Sequence, residues 1–388
     1  MGGGSIGGYG STAFVVSKAT VLNPDLKALS CFACGAAHDP RVLQTVCVRC
    51  GLPLRADYHL ERFAPSGPHS LWRYAAVLPL AARDAVTLCE GWTPLLPAGG
   101  RIQVKDESRN PTGSFKARGM TVAVSMAKAL GARALAAPSA GNAAGALAAY
   151  GAAAGLPVTV AMPEDTPRAF VEECRHYGAD THLVPGTISD AGKWLKENGP
   201  RRAFDVSTLK EPWRVEGKKT MAYELLEQMD GELPDAIVYP TGGGTGLVGM
   251  WKAFEEMQAM GLIGAERPRL VSVQAEGCAP VAKAFFEGAT ATQPWASPRT
   301  EAWGLRVPSP IGGFLCLRAL RETKGTAVTV AEEAIAPAAR DLSRRTGIDV
   351  CPEGGAAWAA TRQLYEKGWL RETDRVVVFN TGTGLKYR

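Results

Sequence analysis

One lysine lies in a segment whose residue types suit covalent chemistry on a carbonyl compound. The segment reads Asn110-Pro-Thr-Gly-Ser-Phe-Lys116-Ala-Arg-Gly119, in which Asn-Pro and Thr-Gly predict a turn and Ser114 predicts a helix N-cap. Lys116 then falls in the first helical turn, where the helix dipole disfavours a positive charge. A lysine that is also partly desolvated there has a lowered pKa, which a Schiff-base nucleophile requires. By itself, the segment also fits an exposed lysine beside a turn.

Three further segments combine small, hydroxyl or amide residues at the end of an apolar run. Pro138-Ser-Ala-Gly-Asn142 and Thr241-Gly-Gly-Gly-Thr-Gly246 each precede a predicted helix, so their backbone N–H groups can converge on a carboxylate or a phosphate. Asn142 adds a side-chain donor. Asn380-Thr-Gly-Thr-Gly-Leu-Lys-Tyr387 follows the last apolar run, where a hydroxyl can meet a ring nitrogen. Read singly, each segment is also compatible with an ordinary turn.

The glycine loop also overlaps a formal match to the dinucleotide fingerprint, Gly244-Thr-Gly-Leu-Val-Gly249. The next predicted strand ends near Glu276, where an acid would bind a ribose. However, Glu276 lies 32 residues after Gly244, whereas the fingerprint places its acid about 20 residues on. An NAD(P)-binding oxidoreductase is therefore only an outside alternative.

Four of the nine cysteines form two CxxC pairs, Cys31 with Cys34 and Cys47 with Cys50, separated by twelve residues. Four thiolates at this spacing can close a tetrahedron around Zn²⁺, and a segment this short needs such a staple. The other cysteines are scattered, and without an export signal we expect reduced thiols and a cytoplasmic location. The pattern predicts a structural Zn²⁺ site, with four free thiols as the alternative.

The rest of the chain alternates between short apolar runs and helical segments, which predicts parallel strands covered by helices on both faces. The predicted strands are 134–138, 157–162, 181–184, 236–240, 270–275 and 376–380. The predicted helices lie near 115–130, 143–154, 167–177, 217–230, 247–259 and 331–346, and several should end at a left-handed glycine, at Gly131, Gly155, Gly178 and Gly347. Ligands bind at the carboxyl ends of such strands, so we expect the motifs to meet there.

Composition excludes several classes of protein. The 388 residues are 46% hydrophobic and 21% charged, which argues against disorder and fibrous architectures. A net charge of +5, spread along the chain, predicts neither a nucleic-acid partner nor a membrane partner. The uncharged segment 134–163 is long enough to span a bilayer, but its prolines and polar residues indicate a buried βαβ core. The Gly-rich start is interpreted as a flexible leader.

Taken together and in this order, the motifs resemble those of the fold-type II pyridoxal-phosphate enzymes, most closely the threonine synthase family. The matching segments are GWTPL (91–95), NPTGSFKARGM (110–120), SAGN (139–142), RVEGKKT (214–220), the glycine loop and NTGTGLK (380–386). A cysteine-knuckle segment before GWTPL also occurs in threonine-synthase-like proteins. The resemblance covers most of the chain.

The resemblance implies a two-lobed α/β fold, like that of the tryptophan synthase β chain, with a small N-terminal zinc ribbon. The implied parts are a flexible leader (1–30), a zinc-ribbon-like module (31–55), a large cofactor-binding lobe (56–122 and 215–388) and a small mobile lobe (123–214). A homodimer is expected, with an amino acid as the small-molecule substrate.

The resemblance also implies roles for single residues. Lys116 would hold pyridoxal 5′-phosphate as a Schiff base and move substrate protons, while Phe115 would lie against the cofactor ring. Asn142 would donate to the 3′ oxygen, and Thr381 would face the pyridine nitrogen, which suits elimination and replacement chemistry. The cofactor phosphate would be held by Gly242, Gly243, Gly244, Thr245 and Gly246. The substrate would be bound by Ser139, Ala140, Gly141, Glu211, Arg214 and Lys218.

Three positions depart from the threonine synthase pattern. Ala143 replaces the Thr that follows the SxGN asparagine, Glu211 replaces an Asn before the retained Arg214, and Ala117 replaces the Asp after the lysine. The first two changes remove phosphate donors and add a carboxylate, which works against binding a dianionic phosphate. Arg214 and the two lysines of RVEGKKT can compensate in part.

The predicted function is a pyridoxal-phosphate-dependent elimination or replacement on an amino acid. The first choice is threonine synthase, a carbon–oxygen lyase that converts O-phospho-L-homoserine and water to L-threonine and phosphate. A serine or threonine ammonia-lyase and a β-replacement synthase are the alternatives within the family. A catalytically inert binding protein is disfavoured, because Lys116, Asn142, the glycine loop and Thr381 are all retained.

Overall fold

A small antiparallel sheet precedes the rest of the fold in the computed structural model, which describes residues 22–388. Its strands are β1 (Leu26–Cys31), β2 (Ala37–His38) and β3 (Leu54–Tyr58), in the order β2-β1-β3. The two CxxC pairs lie in and between these strands. The sheet starts within the predicted leader and ends beyond residue 55, so it is longer than the predicted module. Residues 1–21 of the predicted leader lie outside the described residues.

The remaining elements alternate between strands and helices along the chain. The strands are β4 (Leu95–Gly99), β5 (Ile102–Asp106), β6 (Leu135–Pro138), β7 (Val158–Pro163), β8 (Asp180–Val184), β9 (Phe204–Asp205), β10 (Ala236–Pro240), β11 (Arg269–Ala275), β12 (Thr326–Val330) and β13 (Val376–Asn380). The helices are α1 (Lys116–Ala129), α2 (Asn142–Ala154), α3 (Arg168–His176), α4 (Ile188–Asn198), α5 (Trp213–Gln228), α6 (Thr245–Ala259), α7 (Pro280–Phe286), α8 (Gly313–Glu322), α9 (Glu332–Thr346) and α10 (Pro352–Glu366).

These strands form two separate sheets. The larger sheet has the order β12-β11-β10-β13-β5-β4 and is parallel except for β4, which pairs antiparallel with β5. The smaller sheet, β8-β7-β6-β9, is parallel throughout. Strands β10 and β13 are buried along their whole length, as expected where helices cover both faces of a parallel sheet.

The predicted strands and helices are all present, with ends shifted by a few residues. The uncharged segment 134–163 forms β6, α2 and β7, so its interpretation as βαβ core is confirmed. In the described part of the chain, no helix has the length and apolar character needed to cross a membrane. The four predicted glycines all have positive φ, between 68° and 82°.

Several elements were not predicted from sequence. Helix α10 begins PEGGAAW, in which one proline and two glycines lower the helix propensity. The helix forms because tertiary packing stabilises it. Strand β4 contains a proline and a glycine, which weaken the strand pattern. Strand β12, TAVTV, carries a clear β-branched pattern that the prediction left out.

Helices α1 and α5 pack closely and share a buried ionic network. Glu224 of α5 lies 2.5 Å from Lys105 Nζ and 2.8 Å from Arg118 Nη1. Arg118 also contacts Glu107 at 2.7 Å, and all four side chains are inaccessible to solvent. Although burial alone raises the pKa of a carboxyl group, Arg118 and Lys105 hold the pKa of Glu224 at about 2. The two cations therefore keep the Glu224 carboxylate ionised at neutral pH.

We expect Glu224→Ala to lower the free energy of unfolding by about 3–5 kcal/mol, because it leaves two buried cations without their shared partner. Denaturant unfolding followed by circular dichroism measures this loss. Lys283→Ala is the control, since Lys283 and Glu287 are both exposed and lie 4.0 Å apart, and it should cost at most about 1 kcal/mol. Equal losses in the two variants would contradict the importance of the network.

Candidate active site

A cavity of about 510 Å³ is lined by residues from both parallel sheets. The carboxyl ends of β6 and β10 and the residue after β13 contribute to its wall, together with the first turns of α1, α2 and α6. This is the position at which parallel sheets bind their ligands. The motifs that are far apart in the sequence therefore meet around one space.

Most of the predicted site residues line this cavity. They are Phe115, Lys116, Ser139, Ala140, Gly141, Asn142, Arg214, Gly242, Gly243, Gly244, Thr245, Gly246 and Thr381. The two other predicted residues, Glu211 and Lys218, lie behind the wall. Lys218 is fully buried, with its Nζ 4.1 Å from the centre of the Phe115 ring.

Glu211 is only 1% exposed and serves as a cap for α5. Its carboxylate accepts hydrogen bonds from the backbone N–H groups of Trp213, at 2.8 Å, and Arg214, at 3.1 Å. Burial raises the pKa of Glu211 to about 7, although Arg214 and these N–H groups oppose the rise. The carboxylate that is predicted to work against phosphate binding thus interacts with the start of a helix.

Lys116 is the first residue of α1, as predicted, but the prediction that Ser114 caps this helix is wrong. Phe115 occupies the cap position, and the Ser114 hydroxyl is buried with no partner among the described residues. Ser114 instead forms a β-bridge with Gly382, and Phe115 N–H donates to Thr381 O at 3.0 Å. The backbone pairing fixes Lys116 beside the segment that follows β13.

The environment of Lys116 favours the neutral amine. Burial and the nearby Arg214 charge lower the pKa of Lys116 to about 7, while Glu353 opposes the shift. Its Nζ lies 4.3 Å from the centre of the Phe115 ring, a cation–π contact that replaces only part of the lost hydration. A neutral amine at this position is a nucleophile near neutral pH.

The glycine loop has the shape and the free donors that a phosphate needs. A Cβ on Gly242 would overlap the carbonyl oxygen of Gly304, and one on Gly243 would overlap the Thr208 side chain. Gly244 has a φ of +82°, which favours glycine. Within the described residues, the N–H groups of 242–244 donate no hydrogen bond, and they precede the N-terminus of α6. The loop therefore fits the cofactor phosphate.

Asn142 and Thr381, the two remaining residues predicted to contact the cofactor ring, both line the cavity. Asn142 starts α2, and its amide interacts with Lys386 and Tyr387 of the C-terminal turn. Thr381 is the residue directly after β13, and its hydroxyl oxygen lies 3.9 Å from Cys351 Sγ. Both side chains can donate or accept a hydrogen bond, so they fit a phenolic oxygen and a ring nitrogen.

The cavity wall is rich in positive charge. Its cationic side chains are Lys193, Lys196, Lys210, Arg214 and Arg306, and Glu353 is its one carboxylate among the described residues. Three of these cations also pair with carboxylates outside the lining, Lys193 with Asp190, Lys210 with Asp205 and Arg306 with Asp165. Arg214 is 1% exposed and donates from Nη1 to Val206 O at 2.9 Å. Its Nε and Nη2 atoms are buried without a partner in the described part of the chain. Those two donors are well suited to an anionic ligand.

Sequence reasoning missed several of these residues. Lys193 and Lys196 lie on α4, a helix that was not predicted, and Glu353 lies on α10, which was also missed. Tyr387 was part of the C-terminal motif but was given no role, although it lines the cavity. The sequence contained a signal for Tyr387, because this residue ends the motif 380–387, whose Thr381 was assigned to the site.

Comparisons with known proteins agree with this arrangement. Residues 86–382 match the protein family described as "Pyridoxal-phosphate dependent enzyme". The chain is 35% identical over 374 residues to the threonine synthase of Methanosarcina acetivorans, covering 92% of each chain. It is 32% identical over 374 residues to that of Methanocaldococcus jannaschii, again covering 92% of each. The structure of maize serine racemase superposes with a TM-score of 0.63 at 22% identity, covering 75% of this chain and 88% of that one, which shows a shared fold.

We expect pyridoxal phosphate to be trapped on Lys116 with a rate that rises with pH through a midpoint near the pKa of about 7, because only the neutral amine attacks. Cofactor-free protein would be mixed with pyridoxal phosphate at a series of pH values, reduced with borohydride after short times and mapped by peptide. Arg214→Gln should move the midpoint to higher pH, because loss of a positive charge raises the pKa of Lys116. Labelling of a different lysine would contradict the assignment.

Proposed function

The chain belongs to the family of pyridoxal-phosphate-dependent enzymes, and from this premise we propose that it converts O-phospho-L-homoserine and water to L-threonine and phosphate. It is a threonine synthase-like lyase. The observation that carries the substrate assignment is the buried Arg214, whose Nε and Nη2 have no partner among the described residues. These atoms form the edge of a guanidinium that binds phosphate through two parallel hydrogen bonds.

The cofactor, when bound, supplies an electron sink that stabilises the carbanion left when the substrate loses a proton from carbon. We propose that Lys116 holds it covalently and then moves substrate protons at Nζ. Asn142 would donate to its 3′ oxygen, Thr381 would face its ring nitrogen and Phe115 would lie against its ring. Its phosphate is held by the N–H groups of the loop 242–246.

The substrate is expected to be held at its two anionic ends. We expect the turn 139–141 to bind the amino-acid carboxylate, because it precedes the N-terminus of α2. The N–H groups of Ser139 and Gly141 already donate within the protein, so the N–H of Ala140 and the Ser139 hydroxyl are the groups we assign to the substrate. Arg214 binds the phosphate, and Lys210 adds positive charge from the neighbouring wall. Glu211 supports this site indirectly, because its carboxylate holds the start of α5 and so fixes Arg214. Lys218 lies behind Phe115 and supports the ring from that side.

A second candidate is a serine or threonine ammonia-lyase. The observation that favours it is Ala143, which lines the cavity where the threonine synthase pattern has a hydroxyl donor. Losing that donor weakens phosphate recognition and leaves space for a smaller hydroxyamino acid. The cationic side chains of the cavity wall favour the phosphorylated substrate over a hydroxyamino acid. A neutral hydroxyl leaving group does not require positive charges around it.

We expect the purified enzyme to release phosphate and threonine from O-phosphohomoserine, and Arg214→Ala to reduce this by about a hundredfold or more. The estimate follows from losing two charge-assisted hydrogen bonds, each worth roughly 1.5–3 kcal/mol. Arg168→Ala is the control, since Arg168 is exposed and pairs with Glu172 in its own helix, and it should keep full activity.

The same assay includes threonine, serine and O-phosphoserine, which separates the candidates. Ammonia and an oxoacid from threonine or serine, without phosphate release from O-phosphohomoserine, would replace the proposal by the ammonia-lyase. No turnover of any of the four, with the cofactor bound normally, would point to β-replacement on another amino acid.

We also propose that the cysteine module binds a structural Zn²⁺. The Sγ atoms of Cys31, Cys34, Cys47 and Cys50 all lie within 4.8 Å of one another. The closest pairs, Cys31 with Cys50 and Cys34 with Cys47, are 3.4 and 3.7 Å apart. A tetrahedral Zn²⁺ with Zn–S bonds of about 2.3 Å places its sulfur ligands about 3.8 Å apart. The four thiols therefore fit the ion and fill its coordination, which suits a structural role.

Metal analysis should find about one zinc per chain in the protein as purified. Replacing Cys34 and Cys50 by serine should remove it, while Cys89→Ser should retain it, since Cys89 is an exposed thiol outside the module. The visible absorption of bound cofactor should survive in both variants, because the thiol cluster does not line the cavity. A stable protein that contains no zinc as isolated would contradict this proposal.

The domain organisation also belongs to the proposal. We infer that the small lobe, 123–214, closes on the large lobe, 56–122 and 215–388, to exclude water from the reacting carbon. Arg306 of the large lobe donates to both carboxylate oxygens of Asp165 in the small lobe, at 2.9 and 3.1 Å, and Arg306 lines the cavity. The homodimer and the cytoplasmic location rest on the resemblance and on the free thiols.

A further inference from the structure

The C-terminal turn, Gly384–Tyr387, brings a lysine to the site for which the proposed function has no role. Lys386 Nζ donates to the carbonyl oxygen of Thr112 at 2.6 Å and to Asn142 Oδ1 at 3.1 Å. It also contacts the two carboxylate oxygens of Glu173 at 2.7 and 2.8 Å. The side chain is 15% exposed, so these acceptors replace most of its water.

These contacts determine which end of the Asn142 amide points away from the lysine. An ammonium group can only donate hydrogen bonds, so it selects the oxygen of the amide and not the nitrogen. The nitrogen, Nδ2, is then directed elsewhere and lies 3.4 Å from the Tyr387 hydroxyl. An amide nitrogen carries two hydrogens, so one N–H remains for a ligand in the cavity that Asn142 lines.

The surroundings of the lysine are built to hold it at this position. Glu173 of α3 packs against α2 where Gly145 leaves room, because a Cβ at Gly145 would overlap the Glu173 carboxylate. The ring of Tyr387 meets Phe170 of α3 edge-on, with centroids 5.4 Å apart. Tyr387 also donates to Glu353 Oε1 at 2.8 Å. The turn is therefore anchored on both lobes, with Asn142 between the anchors.

We propose that Lys386 is a positioning residue that holds the oxygen of the Asn142 amide, so that its N–H group faces the 3′ oxygen of bound pyridoxal phosphate. Without the lysine, the amide is free to rotate and to present its oxygen to an oxygen that carries negative charge. The inference rests on the proposed function only in requiring that the chain binds this cofactor. It holds for any amino-acid substrate.

The test compares Lys386→Met with Arg388→Met. Each change removes one positive charge from the C-terminal segment. Arg388 serves as the control because its partner is Asp349 and not Asn142. The visible spectrum of each purified holoenzyme is recorded, and the dissociation constant for pyridoxal phosphate is measured after the cofactor has been removed and added back. Lys386→Met should weaken binding by about tenfold or more. The visible absorption band of the bound cofactor should also weaken relative to its near-ultraviolet band. The reason is that, without a donor from Asn142, the 3′ oxygen of the cofactor retains its proton. Arg388→Met should change neither.

Two further variants separate positioning from a purely structural role. Lys386→Arg should restore the spectrum, since its N–H groups also select the amide oxygen. In an Asn142→Ala background, Lys386→Met should have no further effect on the spectrum or on affinity. An equal effect in both backgrounds would overturn the proposal, because the lysine would then act without Asn142. A lower thermal midpoint with an unchanged spectrum would overturn it as well.

If Lys386→Met gives no soluble protein, Lys386→Gln takes its place. A glutamine amide offers both a donor and an acceptor, so it no longer selects one end of Asn142, and the same changes should appear with smaller size. A spectrum and an affinity equal to those of Arg388→Met would overturn the proposal. No amino-acid substrate is used, so a wrong substrate assignment leaves the result interpretable. Absence of any cofactor band in the unsubstituted protein would instead contradict the proposed function, and this inference with it.

Discussion

The close approach of α1 and α5 is the contact on which the geometry of the site depends. A Cβ at Gly217 would overlap the carbonyl oxygen of Arg118, so only glycine allows the two backbones to come this close. Gly119 provides the matching space on α1, where a Cβ would lie 3.1 Å from the carbonyl oxygen of Arg214. Because no side chain separates the helices, their first turns lie side by side. Arg214 then lowers the pKa of Lys116, in addition to the effect of burial. A contact between two backbones thus has a direct chemical consequence for the nucleophile.

The same two helices show how the protein treats buried charge. Arg118 is paired with Glu107 and Glu224, and Lys219 is paired with Glu216 and Glu256. Such pairing is expected, because a buried charge without a partner is costly. Two deeply buried cationic side chains depart from this rule: Lys218 Nζ and the Nε and Nη2 atoms of Arg214 have no hydrogen-bond partner among the described residues. Burial lowers the pKa of Lys218 well below its usual value, which favours the neutral amine. Arg214 lines the cavity and a guanidinium stays charged, so its unpartnered donors are the better candidates for binding an anion.

Local sequence patterns predicted the elements and the motifs, but not the contacts between distant residues. The strands 236–240 and 376–380 were predicted with their observed bounds, because continuous apolar runs followed by glycine and hydroxyl residues are a strong local signal. The cap at Ser114 was wrong for a non-local reason, since Ser114 pairs with Gly382. The contact between Asn142 and Lys386 joins residues 244 positions apart, and no local pattern indicates such a pair. Sequence therefore located the site, whereas only the fold shows what orients its side chains.

The departures from the threonine synthase pattern acquire a different meaning once the charges are placed. From sequence, Glu211 is a carboxylate added next to a phosphate site. In the structure its carboxyl group is directed at the N–H groups that open α5. The helix dipole favours a negative charge there, whereas burial opposes it and raises the pKa of Glu211 to about 7. The loss of a hydroxyl at Ala143 is real, because Ala143 lines the cavity. Lys196 of α4, a helix that was not predicted, lines the same cavity and adds a positive charge. We propose that recognition of the leaving group relies on the cations of the cavity wall, because charges act over longer distances than neutral hydrogen-bond donors and depend less on the placement of a single atom.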